Sequence, residues 1–152
     1  MSSSDTAAIT VSIVVPVRNE AENIEPVVAE IAAALDGRWN YEIIYVNDGS
    51  TDATGERLAS VMKSRPNLRQ IRHSVSTGQS AAVRSGVRVA RGAIIATLDG
   101  DGQNNPAFLP ALVSAIEQGG ERTGLAAGQR VGRKDTGFKK FQSRIANKVR
   151  NA

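Results

Sequence analysis

The chain has 152 residues, which is enough for one domain with a hydrophobic core but is few for two. It contains no cysteine and a single histidine, His73, which excludes a disulfide framework, a thiolate metal site and a histidine-based zinc site. The net charge of +4 is uneven, since residues 130–152 carry eight Lys and Arg against one Asp, whereas residues 1–129 carry eleven against fourteen acidic residues. A basic end of this kind favours an anionic partner there, such as a diphosphate, a lipid surface or nucleic acid.

Predicted strands and helices alternate after a Ser-rich start. Residues 1–8 lack the basic start and apolar centre of a signal peptide, so we predict a disordered tail. Strands are predicted from apolar, β-branched runs at residues 9–17, 41–46, 68–72 and 93–98, with a short fifth strand at 124–128. Helices are predicted from apolar residues at helical spacing at residues 24–35, around Leu58, Val61 and Met62, at 79–89, after Asn105-Pro106 and in the basic segment 138–149. The sequence contains no run of 18 apolar residues that would predict a membrane span.

Two helix starts carry clear capping signals. Oxygen-bearing side chains at Ser50, Thr51 and Asp52 precede the second helix. Asn105 followed by Pro106 is typical of a helix N-cap with proline at the first helical position. These signals support the predicted order of elements.

Repeated strand–helix units with strands that are apolar throughout predict one α/β domain, an open and mostly parallel sheet with helices on both faces. We assign it to residues 9–152. In a parallel sheet the carboxyl ends of the strands share one edge, where ligands bind. The chemistry of the strand exits is therefore the most informative part of the sequence.

Three strand exits are polar. They are Pro16-Val17-Arg18-Asn19-Glu20, Asn47-Asp48-Gly49-Ser50 and Asp99-Gly100-Asp101-Gly102-Gln103. Each one alone is compatible with an ordinary turn or helix cap. Together at one edge they could bind a base, a ribose and a metal-bound diphosphate.

The exit after the fourth strand is the most specific of the three. If the backbone stays extended there, Asp99 and Asp101 point to the same side and can reach one cation. Glycines at 100 and 102 would leave room for a phosphate or a sugar.

Other motif classes fit the spacing less well. The sequence has no P-loop motif and no G-x-G-x-x-G after the first strand. An EF-hand loop starting at Asp99 would need glycine and glutamate where Asn104 and Pro110 stand. A phosphatase of the haloacid-dehalogenase type is the nearest rival, but in that family the Asp-x-Asp motif follows the first strand and precedes Gly-Thr.

The motifs resemble those of family 2 glycosyltransferases with the A-type fold, in the branch of dolichol-phosphate mannose synthase-like and undecaprenyl-phosphate glycosyltransferases. The resemblance is carried by Val14-Val15-Pro16-Val17-Arg18-Asn19-Glu20, Val46-Asn47-Asp48-Gly49-Ser50-Thr51-Asp52, Gly78-Gln79-Ser80-Ala81-Ala82, Leu98-Asp99-Gly100-Asp101-Gly102-Gln103, Gly128-Gln129-Arg130 and Arg133-Lys134-Asp135. It covers roughly residues 9–150. The family often has Asp-Asp before Gly-Ser, where this chain has Asn47-Asp48. Many members also have Asn just before the Gly78 motif, where this chain has Ser76-Thr77.

The resemblance implies specific residue roles. The nucleotide-binding residues would be Pro16, Val17, Arg18, Glu20, Asn47, Asp48, Asp99, Gly100 and Arg130. The ligands of Mg²⁺ or Mn²⁺ would be Asp99, Asp101 and Gln103. Asp101 and Arg130 would act in catalysis, with Arg133 and Lys134 as further cations beside the leaving diphosphate.

The resemblance also implies the reaction. An inverting glycosyltransferase would move a sugar from a UDP- or GDP-sugar to a polyprenyl phosphate at the cytoplasmic side of a membrane. Residues 138–150 could contact that membrane as a basic amphipathic helix, or could pack on the sheet as an ordinary helix. A nucleic-acid partner is not favoured, because the basic end lacks aromatic residues for base stacking apart from two Phe that fit a core. An oligomer is compatible with the sequence.

The chain ends without a helix stop signal, which we interpret as a truncation before the acceptor half of the domain. The alternative function is therefore a fragment that binds the nucleotide sugar without transferring it.

Overall fold

The computed structural model describes residues 7–120. The elements in chain order are β1 (Val11–Val17), α1 (Ile24–Leu35), β2 (Tyr41–Asp48), α2 (Thr54–Ser64), β3 (Leu68–His73), α3 (Gln79–Val89), β4 (Ile94–Thr97) and α4 (Leu109–Gln118), with 3-10 turns at Ala21–Asn23 and Pro106–Phe108. The predicted order of strands and helices is confirmed over these residues. The predicted tail up to residue 6, the fifth strand at 124–128 and the basic helix at 138–149 lie outside them.

The four strands form one parallel sheet in the order β3-β2-β1-β4. In the register, Val11 pairs with Tyr41 on one side and with Ile94 on the other, and Ile43 pairs with Leu68. The chain therefore moves outward from β1 to β3 and then returns to the opposite side of β1. The predicted open α/β sheet is confirmed.

Helices cover both faces of the sheet, as predicted. Alternate residues of β1, from Val11 to Val17, face a core that also contains Leu58 of α2, Leu109 of α4 and the apolar side of α1. The intervening residues face α3, where Val14, Ile44, Val46 and Ala82 form a smaller core. On this second face a Cβ at Gly86 would lie 2.4 Å from Val14 Cγ1, so glycine lets α3 approach the sheet closely.

Both predicted capping signals act in the structure. Asp52 Oδ1 accepts from the backbone N–H of Thr54, the first residue of α2, at 2.9 Å. Asn105 Oδ1 accepts from the N–H of Ala107 at 3.0 Å, in the 3-10 turn that leads into α4. These bonds satisfy N–H groups that have no partner within a helix.

A buried carboxylate ties β4 to the rest of the sheet. Glu42 of β2 accepts from Ser12 Oγ at 2.7 Å and from the N–H of Arg91 at 2.8 Å, and it pairs with Arg69 at 2.9 Å. Burial alone would raise the pKa of Glu42, but these hydrogen bonds outweigh it and lower the pKa. Because Ser12 also accepts from the N–H of Gly92 at 2.9 Å, the cluster holds the segment from which β4 starts.

The hydroxyl of Tyr45, unlike the carboxylate of Glu42, is buried without a hydrogen bond in the described part of the chain. Tyr45 is fully buried, and its hydroxyl has no hydrogen-bond partner within residues 7–120. A buried polar group left unpaired costs about 1–3 kcal/mol.

We therefore expect Tyr45→Phe to leave the free energy of unfolding unchanged or to raise it by about 1 kcal/mol, as measured by urea denaturation. Tyr41→Phe is the matched control, because the Tyr41 hydroxyl donates to Asp36 Oδ1 at 2.6 Å. The control should lower the free energy of unfolding by about 1 kcal/mol. Equal losses in the two variants would contradict the prediction.

Within the described part of the chain, no helix has the length and apolar character that crossing a membrane requires.

Candidate functional site

The carboxyl ends of the four described strands lie at one edge of the sheet, because all of the strands are parallel. The strand order reverses at β1, with β2 on one side of it and β4 on the other. In open α/β sheets ligands bind in the crevice at such a reversal. The polar segments after β1 and β4 flank this crevice, and the predicted gathering of polar strand exits at one edge is confirmed.

Asn19 joins the segment after β1 to the segment after β2. Its φ is 54°, in the left-handed region that asparagine tolerates better than most residues. Its N–H donates to Ser50 Oγ at 3.0 Å, and its Oδ1 accepts from the N–H of Thr51 at 2.8 Å. The N–H of the next residue, Glu20, donates to Thr54 Oγ1 at 2.9 Å. The two segments therefore form one hydrogen-bonded unit beside the crevice.

Asp48, the last residue of β2, is 4% exposed and organises the segment after β3. Its Oδ1 lies 2.8 Å from His73 Nδ1 and accepts from the N–H and the hydroxyl of Thr77 at 2.8 and 2.9 Å. Its Oδ2 accepts from Ser76 Oγ and from the N–H of Gly78, each at 2.9 Å. Five donors from three consecutive residues and one imidazole thus converge on a single carboxylate.

The charge of Asp48 is stabilised by these contacts. Burial alone would raise the pKa of Asp48, but the hydrogen bonds from the four residues just named outweigh it and hold the pKa far below the usual range. An ionised carboxylate only accepts hydrogen bonds, so His73 carries its proton on Nδ1 here, and its Nε2 lies 2.9 Å from Ser85 Oγ. A carboxylate has about four acceptor positions, all of them used by the protein. Binding of the base by Asp48 stays a prediction and would require one of these donors to be exchanged.

Two other predicted nucleotide-binding residues have buried side chains. Val17 is 3% exposed, because it lies on the core-facing side of β1 together with Val15. Asn47 is 1% exposed and bonds within the protein, accepting from the N–H of Ser50 at 3.1 Å and donating to Gln70 at 3.2 Å. Nucleotide contacts by Val17 and Asn47 stay predictions.

Gly100 is required by packing against β1. It is buried, and a Cβ there would lie 2.2 Å from Val17 Cγ1 and 3.2 Å from the carbonyl oxygen of Pro16. We expected this glycine to leave room for a phosphate or a sugar, but the space that its missing side chain would need is filled by β1. The absence of a side chain at Gly100 therefore lets the turn after β4 lie directly on the end of β1.

Asp99 and Asp101 do not share the extended backbone that we predicted for them. β4 ends at Thr97, and residues 100 and 101 form a turn. Asp99 accepts from Gln79 Nε2 at 2.7 Å and from Asn104 Nδ2 at 3.2 Å, whereas Asp101 accepts from the N–H of Gln103 at 3.0 Å. Both aspartates and Gln103 are exposed at the crevice, but the two carboxylates have different partners.

Glu20 connects to the same turn through one neighbour. Its Oε2 accepts from Asn23 Nδ2 at 2.6 Å. A Cβ at Gly102, which has a φ of 75°, would lie 3.1 Å from Asn23 Oδ1, so the two segments touch. Glu20 is thereby placed beside the turn that carries Asp101, while Arg18 is exposed and Pro16 is half-buried.

Metal ligation and diphosphate binding depend on more than these residues. Within residues 7–120 no group of three or more His, Cys, Asp or Glu side chains is arranged to hold a metal ion by itself. Arg130, Arg133 and Lys134, which we predicted to contact the diphosphate, lie outside the described residues.

Three of the residues that organise the site carried no predicted role. Asn19, His73 and Gln79 each bond to a residue at least 20 positions away. For Asn19 the sequence offered one signal, an asparagine just after a predicted strand. For Gln79 the signal was the resemblance of the Gly78-Gln79 motif to the family, and for His73 we identified none.

Comparison with known proteins places the chain among glycosyltransferases. Residues 12–151 match the family model described as glycosyl transferase family 2. Dodecaprenyl-phosphate galacturonate synthase of Rhizobium johnstonii is 40% identical in an alignment of 145 positions that covers 92% of this chain and 42% of that protein. Dolichol-phosphate mannosyltransferase of Pyrococcus furiosus is 38% identical over 120 residues, 79% of this chain and 33% of that protein. The chain thus spans less than half the length of these curated relatives.

The fold is shared with a solved structure. The mannosyltransferase PcManGT from Pyrobaculum calidifontis, in complex with GDP-Man and Mn²⁺, superposes with a TM-score of 0.57 and 28% identity. The superposition covers 63% of this chain and 28% of that one.

A doubly wound parallel sheet with polar segments at its reversal point defines a class of α/β protein that binds its ligands at that edge. The chain belongs to glycosyl transferase family 2. The predicted A-type fold and the resemblance to the polyprenyl-phosphate branch of that family are both confirmed.

Proposed function

We propose that this chain is the donor-binding part of an inverting glycosyltransferase that uses a UDP- or GDP-sugar and a divalent cation, with a polyprenyl phosphate as acceptor. The observation that carries the proposal is the convergence of three polar segments, after β1, β2 and β4, at the reversal point of the sheet. Such an arrangement offers a pocket for a nucleoside next to exposed oxygen ligands for a diphosphate-bound cation.

The oxygen donors of the turn after β4 fit Mg²⁺ or Mn²⁺. Such cations take one or two carboxylates from a protein, and the diphosphate and water complete the coordination. Asp101 and Gln103 are exposed there and would be ligands of the cation. Asp99 is also exposed and would contact the cation, the ribose or both. When bound, the cation would neutralise charge on the leaving diphosphate.

The nucleoside would lie against the joined segments after β1 and β2. In the first segment Arg18 is exposed and Glu20 is half-buried. Pro16 precedes them near the end of β1. Glu20 would accept a hydrogen bond from the ribose or the base. Asp48 would act on the base side, where it already orders the segment after β3.

For sugar transfer to a phosphate, this chain would need only to bind the substrates and to stabilise the charge that develops on the diphosphate. The acceptor phosphate oxygen attacks the anomeric carbon as the bond to the diphosphate oxygen breaks, and the electron pair of that bond leaves with the diphosphate. A phosphate monoester is mostly ionised at neutral pH, so it needs no general base. Arg130 would meet the departing diphosphate with a guanidinium group that donates directed hydrogen bonds.

A polyprenyl phosphate acceptor agrees with the names of the curated relatives, which include a dodecaprenyl-phosphate and a dolichol-phosphate transferase. Such an acceptor would place the reaction at the cytoplasmic face of a membrane. The basic segment 138–150 would then be the part of this chain that contacts the lipid surface.

The phosphatase alternative is disfavoured by the position of the Asp-x-Asp motif. In phosphatases of that type the motif follows the first strand and precedes Gly-Thr, whereas here Asp99 and Asp101 follow β4 and precede Gly102-Gln103. A fragment that binds the donor without transferring the sugar is the remaining alternative.

Calorimetric titration of the chain with UDP and GDP tests the proposal. We expect one of the two nucleotides to bind in the presence of Mn²⁺ and to lose at least tenfold in affinity when EDTA removes the metal. Absence of metal-dependent binding to either nucleotide would contradict the proposal. Sugar transfer to a polyprenyl phosphate then separates a working enzyme from a donor-binding fragment.

A further inference from the structure

Gln79 spans the gap between α3 and the turn after β4. It is the first residue of α3, and its Nε2 donates to Asp99 Oδ1 at 2.7 Å. Asn104 donates to the other oxygen of Asp99 at 3.2 Å. An exposed aspartate at the mouth of the crevice is thus held on both oxygens by neutral amide groups.

The position of Gln79 is itself fixed by a buried charge. Its three predecessors, Ser76, Thr77 and Gly78, all donate to Asp48. Gly78 has a φ of 97°, a conformation that residues with side chains rarely adopt, and α3 begins directly after it. A connection of hydrogen bonds therefore runs from the end of β2, through the start of α3, to Asp99 after β4.

We propose that Gln79 is a positioning residue that fixes the carboxylate of Asp99 in the orientation used to bind the donor, an inference that rests on the proposed donor-binding function. A neutral amide suits this task, because it directs the carboxylate without neutralising its charge. A cationic side chain at position 79 would compete with a metal ion for the same oxygen atoms. With Gln79, Asp99 keeps its negative charge and the lone pairs that the two amides do not use.

The expected effect follows from the ordering of one side chain. Without the donor of Gln79, the hydrogen bond from Asn104 holds only one oxygen of Asp99, and the remaining rotation of the carboxylate must be lost when the donor binds. Removing the donor group of Gln79 should therefore weaken Mn²⁺-dependent nucleotide binding by about 3- to 10-fold. The loss of affinity should depend on the presence of Asp99.

A double-mutant cycle tests that route, with Mn²⁺ and whichever of UDP or GDP the wild-type chain binds. Gln79→Leu keeps the size of the side chain and removes its donor. We expect it to weaken binding about 3- to 10-fold in the wild-type background and less than twofold in the Asp99→Ala background. Ser80→Ala, at the next exposed position of α3, is the matched control and should change the affinity less than twofold.

The outcomes separate this inference from the proposed function. If the wild-type chain shows no metal-dependent binding, the proposed function fails and the inference fails with it. If the wild type binds but Gln79→Leu has the same effect with and without Asp99, Gln79 does not act through Asp99 and the inference alone is overturned. Unfolding midpoints in urea that agree between wild type and Gln79→Leu exclude a change of affinity caused by lost stability.

Discussion

Replacing Asp101 by alanine is expected to weaken the Mn²⁺-dependent binding of a nucleoside diphosphate by about 100-fold or more. Asp101 is exposed at the crevice, and within residues 7–120 its only hydrogen bond is the one that Oδ1 accepts from the N–H of Gln103. Its carboxylate is therefore the one in this turn with most of its acceptor capacity available to a cation. Losing a charged ligand removes both a metal–oxygen bond and the negative charge that attracts the cation.

Two further variants make the Asp101 prediction specific, with affinities measured by calorimetry at fixed Mn²⁺. Asp101→Asn keeps an oxygen that accepts from Gln103 but removes the charge, so its affinity should lie between those of wild type and Asp101→Ala. Glu22→Ala removes an exposed acidic residue from the 3-10 turn that follows β1 and should change the affinity less than twofold. Affinity within threefold of wild type for Asp101→Ala would rule out Asp101 as a metal ligand.

The sheet could be predicted because its strands are apolar almost without interruption. All eight residues of β2 are buried, which is the pattern of a strand covered on both faces. The reversal at β1 follows from the placement of α1 and α2 on one face and α3 on the other, and it could not be predicted from the order of elements alone. Strand order depends on contacts between distant segments, whereas periodicity reports only local structure.

The candidate site was predictable in its location but not in its bonding. Asp48 was recognised as a polar residue at a strand exit, but its donors come from residues 25 to 30 positions later in the chain. Gly100 was predicted to make room for a ligand, because its contact with Val17 joins segments that are distant in sequence. The predicted common side of Asp99 and Asp101 assumed an extended strand exit, whereas the chain turns there.

A consequence for function follows from the bonding of Asp48. The same carboxylate holds the start of α3, so a change at Asp48 should alter both the stability of the fold and the geometry around Asp99. A loss of nucleotide binding on changing Asp48 would therefore combine a lost base contact with this structural role. The structural role is measured separately by the free energy of unfolding and its dependence on pH.

Replacing Asp48 by alanine is expected to lower the free energy of unfolding by about 2–4 kcal/mol at pH 7, measured by urea denaturation. The variant leaves His73 Nδ1 and the N–H groups of Thr77 and Gly78 without their acceptor. Because the pKa of Asp48 is lowered in the folded chain, its contribution is fully present above the unfolded-state pKa of about 3.9 and is lost as the pH falls below it. The difference in stability between wild type and Asp48→Ala should therefore shrink between about pH 5 and pH 3.

Asp101→Ala is the matched aspartate control for this measurement, because Asp101 is exposed and accepts a single hydrogen bond from its own turn. It should change the free energy of unfolding by no more than about 0.5 kcal/mol. The two variants are thus expected to divide the acidic residues of the edge by role, with Asp48 supporting the fold and Asp101 having the proposed role of cation ligand. A stability difference for Asp48→Ala that stays below 1 kcal/mol, or that grows as the pH falls from about 5 to 3, would show that the buried carboxylate does not hold the start of α3 in place. In that case the position of Gln79 beside Asp99 would not depend on Asp48.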